Sequence, residues 1–184
     1  MKQGGFKRKL LWPVIFLLPV MYGIVSVSAD TEEDLPFVIL QSVDNLQKTG
    51  SRVRRQCMPI LLEFSASYCE FCESLEENFL KPMLRNRDYD ERVIIRQVSL
   101  DSARNITGFD GKRLTVKQFA RRYRVFVTPT VLFVNDKGKE LAERMVGINT
   151  LDMYGGYLDA NIEEARLELE DRYRCHDREV IFPD

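Results

Sequence analysis

Between residues 59 and 84, PILLEFSASYCEFCESLEENFLKPML, the apolar positions change their period once. Ile60, Leu61, Leu62 and Phe64 form a nearly continuous apolar run, the pattern of a strand covered on both faces. A polar bend at 65–67 follows. Beyond it Cys72, Leu75, Phe79 and Met83 recur at three- and four-residue steps, with Leu80 and Leu84 beside them. That spacing is one face of an amphipathic helix. Cys69 and Cys72 therefore stand where a buried strand turns into a helix N-terminus.

The same reading extends along the chain. Residues 37–40 read as a first strand, and Ser42 as the N-cap of a helix that uses Val43 and Leu46. Gly50 interrupts that helix pattern, and Arg52, Arg54 and Arg55 read as a solvated surface. After a polar break at 85–91, the run 93–100 reads as an internal strand ending at Asp101. Residues 102–113 read as a loop punctuated by Gly108 and Gly111. Within it Asn105–Ile106–Thr107 matches a glycosylation acceptor, a pattern common by chance. Val116, Phe119, Ala120 and Tyr123 mark a helix face. In 125–134, VFVTPTVLFV, Pro129 belongs at a strand start or edge because it cannot donate to a ladder. A hairpin turn at 135–139 leads into a strand at 140–146 closed by Gly147. Asn149 or Thr150 then caps a last helix with Leu151, Tyr154, Leu158, Ile162, Ala165 and Leu169 on one face, weakened locally by Gly155–Gly156.

Composition adds a compartment. The chain has 184 residues, 45% of them hydrophobic, enough for one domain with a proper core. Lys2, Lys7, Arg8 and Lys9 precede an apolar run at 10–27, and Val27–Ser28–Ala29 satisfies the small-residue rule for cleavage ahead of Asp30. We expect a signal peptide at 1–29 and an exported domain at 30–184. The alternative is an uncleaved anchor, since the run is nearly long enough to span a bilayer. Pro13, Pro19 and Ala29 favour cleavage. Removing four cations and no acids takes the formal charge from −1 to about −5. Nothing in that balance asks for nucleic acid.

Export changes what the four cysteines mean, because disulfides persist outside the cytoplasm. The N–H groups and the positive dipole end of a helix favour a thiolate at Cys69. Cys72, one turn further in, is placed to attack a mixed disulfide formed there. Zinc sites share the spacing, but His176 is the only histidine and no second ligand pair accompanies it, so we expect no metal. Glu63 lies inside an apolar run, where a carboxylate costs desolvation energy unless it faces solvent or serves a role.

The element order, the acid six residues before the first cysteine in EFSASYCEFC, the VTPT at a strand start and Gly147 after the final strand together resemble the thioredoxin superfamily, over roughly residues 38–169. CEFCESLEENFLKPML followed by RRYRVFVTPTVLFVNDKGKE is most similar to exported bacterial thioredoxins of the SoxW type. The resemblance implies an α/β thioredoxin fold, a central mixed β-sheet flanked by helices. It also implies a thiol–disulfide oxidoreductase without cofactor. Cys69 would be the nucleophile, Cys72 the resolving thiol, Pro129 a cis-proline facing the disulfide and Glu63 the buried acid behind Cys72. Thr128, Tyr68 and Phe71 would contact substrate. Tyr68 stands where the family often has tryptophan, the dipeptide is Glu–Phe rather than Gly–Pro, and the helix proline comes late, at Pro82. In such a fold Cys57 and Cys175 would meet at the far end of the sheet as a structural disulfide.

The expected partners are disulfide-bearing proteins and a membrane thiol-electron donor, with the domain periplasmic or anchored in the inner membrane facing the periplasm. Glu70, Glu73, Glu76 and Glu77 would repel a thiolate and raise its pKa, which favours a reductant. An oxidase or isomerase, or a redox-inert module that only binds peptides, is the alternative.

Overall fold

Strand β1 (Ile60–Ser65) has a neighbour on each edge and is buried along its whole length. β2 (Ile94–Ser99) lies parallel to it, with Ile60 opposite Ile94 and Ser65 opposite Ser99. β5 (Thr130–Val134) runs antiparallel on the other side, with Phe64 opposite Thr130, and the short β6 (Met145–Val146) pairs antiparallel with β5. The order is β2-β1-β5-β6, a mixed sheet. This computed structural model describes residues 35–173 and Cys175. The expected signal peptide at 1–29, the acidic lead at 30–34 and His176 lie outside them. The chain divides between Leu35 and Pro36 into two units, and every strand of the sheet belongs to the second.

Alternation along β1 sorts its side chains between two faces. Phe64 points to the face where the ring of Phe119, on helix α4 (Val116–Arg122), stacks at 5.9 Å. Glu63 points to the opposite face, together with Gln97, its register partner on β2. On that face lie the helix that follows the cysteine pair and α5 (Leu151–Tyr173), whose Tyr154, Leu158, Ile162, Ala165 and Leu169 are buried. Leu151, expected on that face, is exposed. Gly155 does not break α5: the Phe79 ring packs close to it, 3.4 Å from where its Cβ would stand.

The helix after the cysteines runs from Glu70 to Arg85 with its register changed in the middle. α2 (Glu70–Leu75) passes through a π turn (Glu76–Leu80) into α3 (Lys81–Arg85). Pro82 has no N–H to give the carbonyl four residues back, and the wider turn just ahead of it accommodates that loss. The Lys81 N–H bonds Glu76 O, five residues back. One extra residue in the turn rotates the apolar face, so Leu80 becomes fully buried while Phe79 is only partly so.

Several expectations change. Residues 37–40 form no strand; the chain touches the edge of β2 only through a bridge from Ser42 to Gln97. Helix α1 (Leu46–Gln56) starts later than expected, capped by Asn45, whose side chain accepts from Lys48 N at 2.8 Å. Gly50 does not interrupt α1, and Arg54 is not merely solvated, since it pairs with the buried Asp136 at 2.8 Å. The 102–113 loop holds β3 (Asn105–Thr107) and leads into β4 (Arg113–Thr115), a hairpin turned through Gly111 at φ +75°. Of the strand expected at 140–146, only β6 and a bridge from Glu140 to Val134 exist.

Candidate active site

Ser65 ends β1, and the chain turns over the end of the sheet into α2. The Ser67 N–H donates to the Asp101 carboxylate, which pins this turn to the end of β2; that bond, helped by the Ser67 hydroxyl, holds Asp101 below the usual carboxylate range. Cys69 is the N-cap of α2. Its sulfur accepts from Cys72 N at 3.1 Å, and its carbonyl receives the N–H groups of Cys72 and Glu73 at 2.9 and 3.1 Å. A sulfur so placed faces the free donors of the helix end, where a thiolate is stabilised.

Cys69 and Cys72 are joined as a disulfide, Cα to Cα 5.1 Å. They differ in access. Cys72 is 2% exposed, whereas Cys69 is half-buried at the rim of a cleft of about 500 Å³. Tyr68, Glu73, Glu76 and Gln97 also line this cleft. Among the described residues no cluster of His, Cys, Asp and Glu is placed to hold a metal.

Glu63 is fully buried. Its Oε2 lies 3.4 Å from Gln97 Nε2, and its Oε1 has no partner. Burial pushes the carboxyl up to about 8; the nearby Glu76 adds to the rise and the Gln97 bond opposes it. Gln97 Nε2 also donates to Glu76 Oε1 at 2.6 Å. Burial raises Glu76 as well, against the pull of Lys81 and Gln97. On α5 the Tyr154 hydroxyl has no partner, and burial together with the Glu63 charge pushes it up to about 12.

The Thr128–Pro129 peptide bond is cis. Because Thr130 pairs with Phe64, Pro129 lies at the end of the sheet from which the cysteine turn leaves. Pro129 is buried and Thr128 half-buried, and Pro129 O accepts from Gly147 N at 2.8 Å.

A family model of the thioredoxin-like domain matches residues 46–162. The chain belongs to the thioredoxin-like domain family. That span holds Glu63, both cysteines of the pair and Pro129. Among solved structures the chain is similar to Fasciola hepatica thioredoxin, 19% identical, covering 68% of this chain and 99% of that one at a TM-score of 0.45. It is similar also to a Nicotiana alata thioredoxin, 17% identical over 68% and 97% of the two chains at 0.45. A third, the DsbH oxidoreductase, is 15% identical over 71% and 94% at 0.48. No curated protein matches the chain in sequence.

In this thioredoxin-like domain the remaining expected residues divide by place. Tyr68 and Phe71 are exposed beside the cysteines, but only Tyr68 lines the cleft. Phe126 and Val127, just before the cis bond, are exposed apolar side chains that the sequence pattern read as strand. Cys57 and Cys175 are bonded to each other, Cα to Cα 6.1 Å. Cys57 follows α1 and precedes β1, so this bond lies at the end of β1 opposite the Cys69–Cys72 pair. Cys175 falls beyond the matched span. Two residues of the site went unread. Glu76 counted only as part of an acidic surround, although it follows Cys72 by one helical turn. Gln97 has no local signal at all, since only the β1–β2 register brings it to Glu63.

Proposed function

We propose that this thioredoxin-like domain is an exported thiol–disulfide oxidoreductase that reduces disulfides of periplasmic proteins. The unequal access of the two cysteines carries the reading: both line the cleft, but Cys69 is half-buried and Cys72 only 2% exposed. In the reduced form the Cys69 thiolate attacks one sulfur of a substrate disulfide, forming a mixed disulfide and releasing a substrate thiolate. Cys72 then gives up its proton and attacks Cys69 Sγ, releasing the second substrate thiolate and closing the Cys69–Cys72 bond. Two electrons pass to the substrate, whose thiolates take up protons. A membrane dithiol donor returns the pair to the reduced state. Tyr68, Phe71 and Thr128 frame the approach, and Glu63 is the acid–base partner of Cys72.

Export rests on the basic and apolar N-terminal segment, and the likeness of the CEFC region to exported bacterial thioredoxins of the SoxW type belongs with it. The reducing direction rests on charge. Glu70 stands between the cysteines and Glu73 and Glu76 line the cleft, so a thiolate there meets like charge. Equilibration with glutathione and dithiothreitol buffers tests the direction. We expect a potential toward the thioredoxin end, about −270 mV; a value near about −120 mV would make the domain an oxidant.

A further inference from the structure

Glu76 has no part in the dithiol exchange itself, yet the structure ties it to the acid that does. A single nitrogen, Gln97 Nε2, stands between two carboxylates, 2.6 Å from Glu76 Oε1 and 3.4 Å from Glu63 Oε2. The two acids differ in their access to water. Glu63 is fully buried, whereas Glu76 is half-buried and lines the same cleft as Cys69 and Cys72. Gln97 is neutral, so it bridges the carboxylates without cancelling their charge. Two carboxylates at one donor do not both ionise cheaply. Of the two, Glu63, which water reaches least, binds a proton the more tightly.

The rest of the surroundings offers Glu63 little relief. β5 places Val131 opposite it, and α5 contributes Tyr154, whose hydroxyl is neutral at physiological pH. The redox helix brings Glu76 itself, then Glu77 and Lys81, which pair with each other. Lys81 lowers Glu76 and Glu77 raises it, and the Ser65 hydroxyl bonds Glu76. Among the described residues Glu76 is therefore the only carboxylate whose charge acts on Glu63.

We propose that Glu76 is a positioning residue for the resolving step: acting through Gln97, its charge keeps the buried Glu63 carboxylate basic enough to take the proton of Cys72. In molecules whose Glu63 is ionised, the proton moves from Cys72 Sγ to a Glu63 oxygen as Cys72 attacks, and it returns to Cys72 when the disulfide is reduced again. An acid is most effective in both directions when its pKa is close to that of its partner, and a free thiol titrates near about 8.5. An ordinary glutamate, near about 4.3, is too weak a base for that exchange. The proposal rests on the oxidoreductase reading for its use, but the coupling itself is a property of the oxidised protein.

Carbon-detected NMR titration of the Glu63 carboxyl in the oxidised full chain tests it without turnover. Glu76→Gln removes the charge while leaving an acceptor for Gln97, and should lower the Glu63 midpoint by about one pH unit. Glu76→Ala should move it the same way. Glu73→Gln removes an exposed acid of the same helix that does not touch Gln97, and should leave it in place. A Glu63 midpoint unmoved by both Glu76 variants overturns the proposal. In reduced protein, the pH profile of the resolving step should shift to lower pH in Glu76→Gln. In a Glu63→Gln background the same change should have no effect, and an equal shift there would mean that Glu76 acts on the thiols directly and would also overturn the proposal. A protein with no reductase activity still answers through the titration.

Discussion

A methyl group placed on Gly50 would stand 2.5 Å from the carbonyl oxygen of Asp136. The glycine that seemed to interrupt α1 is the point where this helix touches the turn after β5. Asp136 is buried there, with Arg54 and the Tyr173 hydroxyl on its carboxylate.

Gly50→Ala should therefore destabilise the domain. In an exposed helix interior the change stabilises by about 1 kcal/mol. Here the backbone of Asp136 must shift, and overpacking of this kind costs about 1–3 kcal/mol. The contact is with backbone rather than the end of a flexible side chain, so the second effect outweighs the first. Urea unfolding of the two proteins decides it, and a clear gain in stability for Gly50→Ala would contradict the contact.

Unequal access to the two sulfurs should set the order of attack. Cys72→Ser should accumulate mixed disulfides with partner proteins, because the more accessible Cys69 thiolate still attacks and nothing resolves the product. Cys69→Ser should accumulate none, since Cys72 is 2% exposed. Non-reducing gels of both variants provide the comparison, and equal trapping would reverse the roles.

The buried acid also makes stability depend on pH. Glu63 in the folded protein holds its proton up to about 8, well above the ordinary carboxylate value. The folded state thus binds more protons than the unfolded one between those limits. Its contribution is complete below the ordinary carboxylate range and is lost as pH rises through about 8. Glu76, also raised, acts in the same direction, while Asp101 and Asp110 are lowered and act oppositely, in acid only. The unfolding free energy of the oxidised protein, from urea titrations, should fall between pH 5 and about 8 with a slope approaching about 1.4 kcal/mol per pH unit, and level off above that. Glu63→Gln should flatten this dependence. An unchanged slope would place the charge elsewhere.

The Cys57–Cys175 bond closes a loop with a sequence separation of 118. Replacing both cysteines by serine should cost about 2–4 kcal/mol, most of it through a freer unfolded chain. The Cys69–Cys72 pair sits at the other end of β1, so its exchange rate at room temperature should not change. Non-reducing peptide maps and thermal unfolding check the two halves of this expectation.

Much of the site was legible in local pattern. A continuous apolar run followed by three- and four-residue steps places Cys69 and Cys72 at a strand-to-helix junction, and the structure has β1 and α2 there. The acid at 63 stood out because an apolar run has no use for one. The α4 face was legible for the same reason, and so was that of α5 apart from Leu151. Side-chain period is a property of the local backbone, and it survives in any tertiary setting.

Local pattern thus settles which segments bury a face and where the dithiol falls between them. What each buried group meets depends on how those segments pack. Residues 37–40 are apolar enough for a strand, but the β2 edge is met only at 41–43, so they remain unpaired. Gly50 reads as a break until Asp136 is brought against it. Glu63 and Gln97 are 34 residues apart, and no local signal links them; the parallel register of β1 and β2 does. Charge and close contact act through space, so the surroundings that make Glu63 a strong base exist only once two strands and a helix have packed around it.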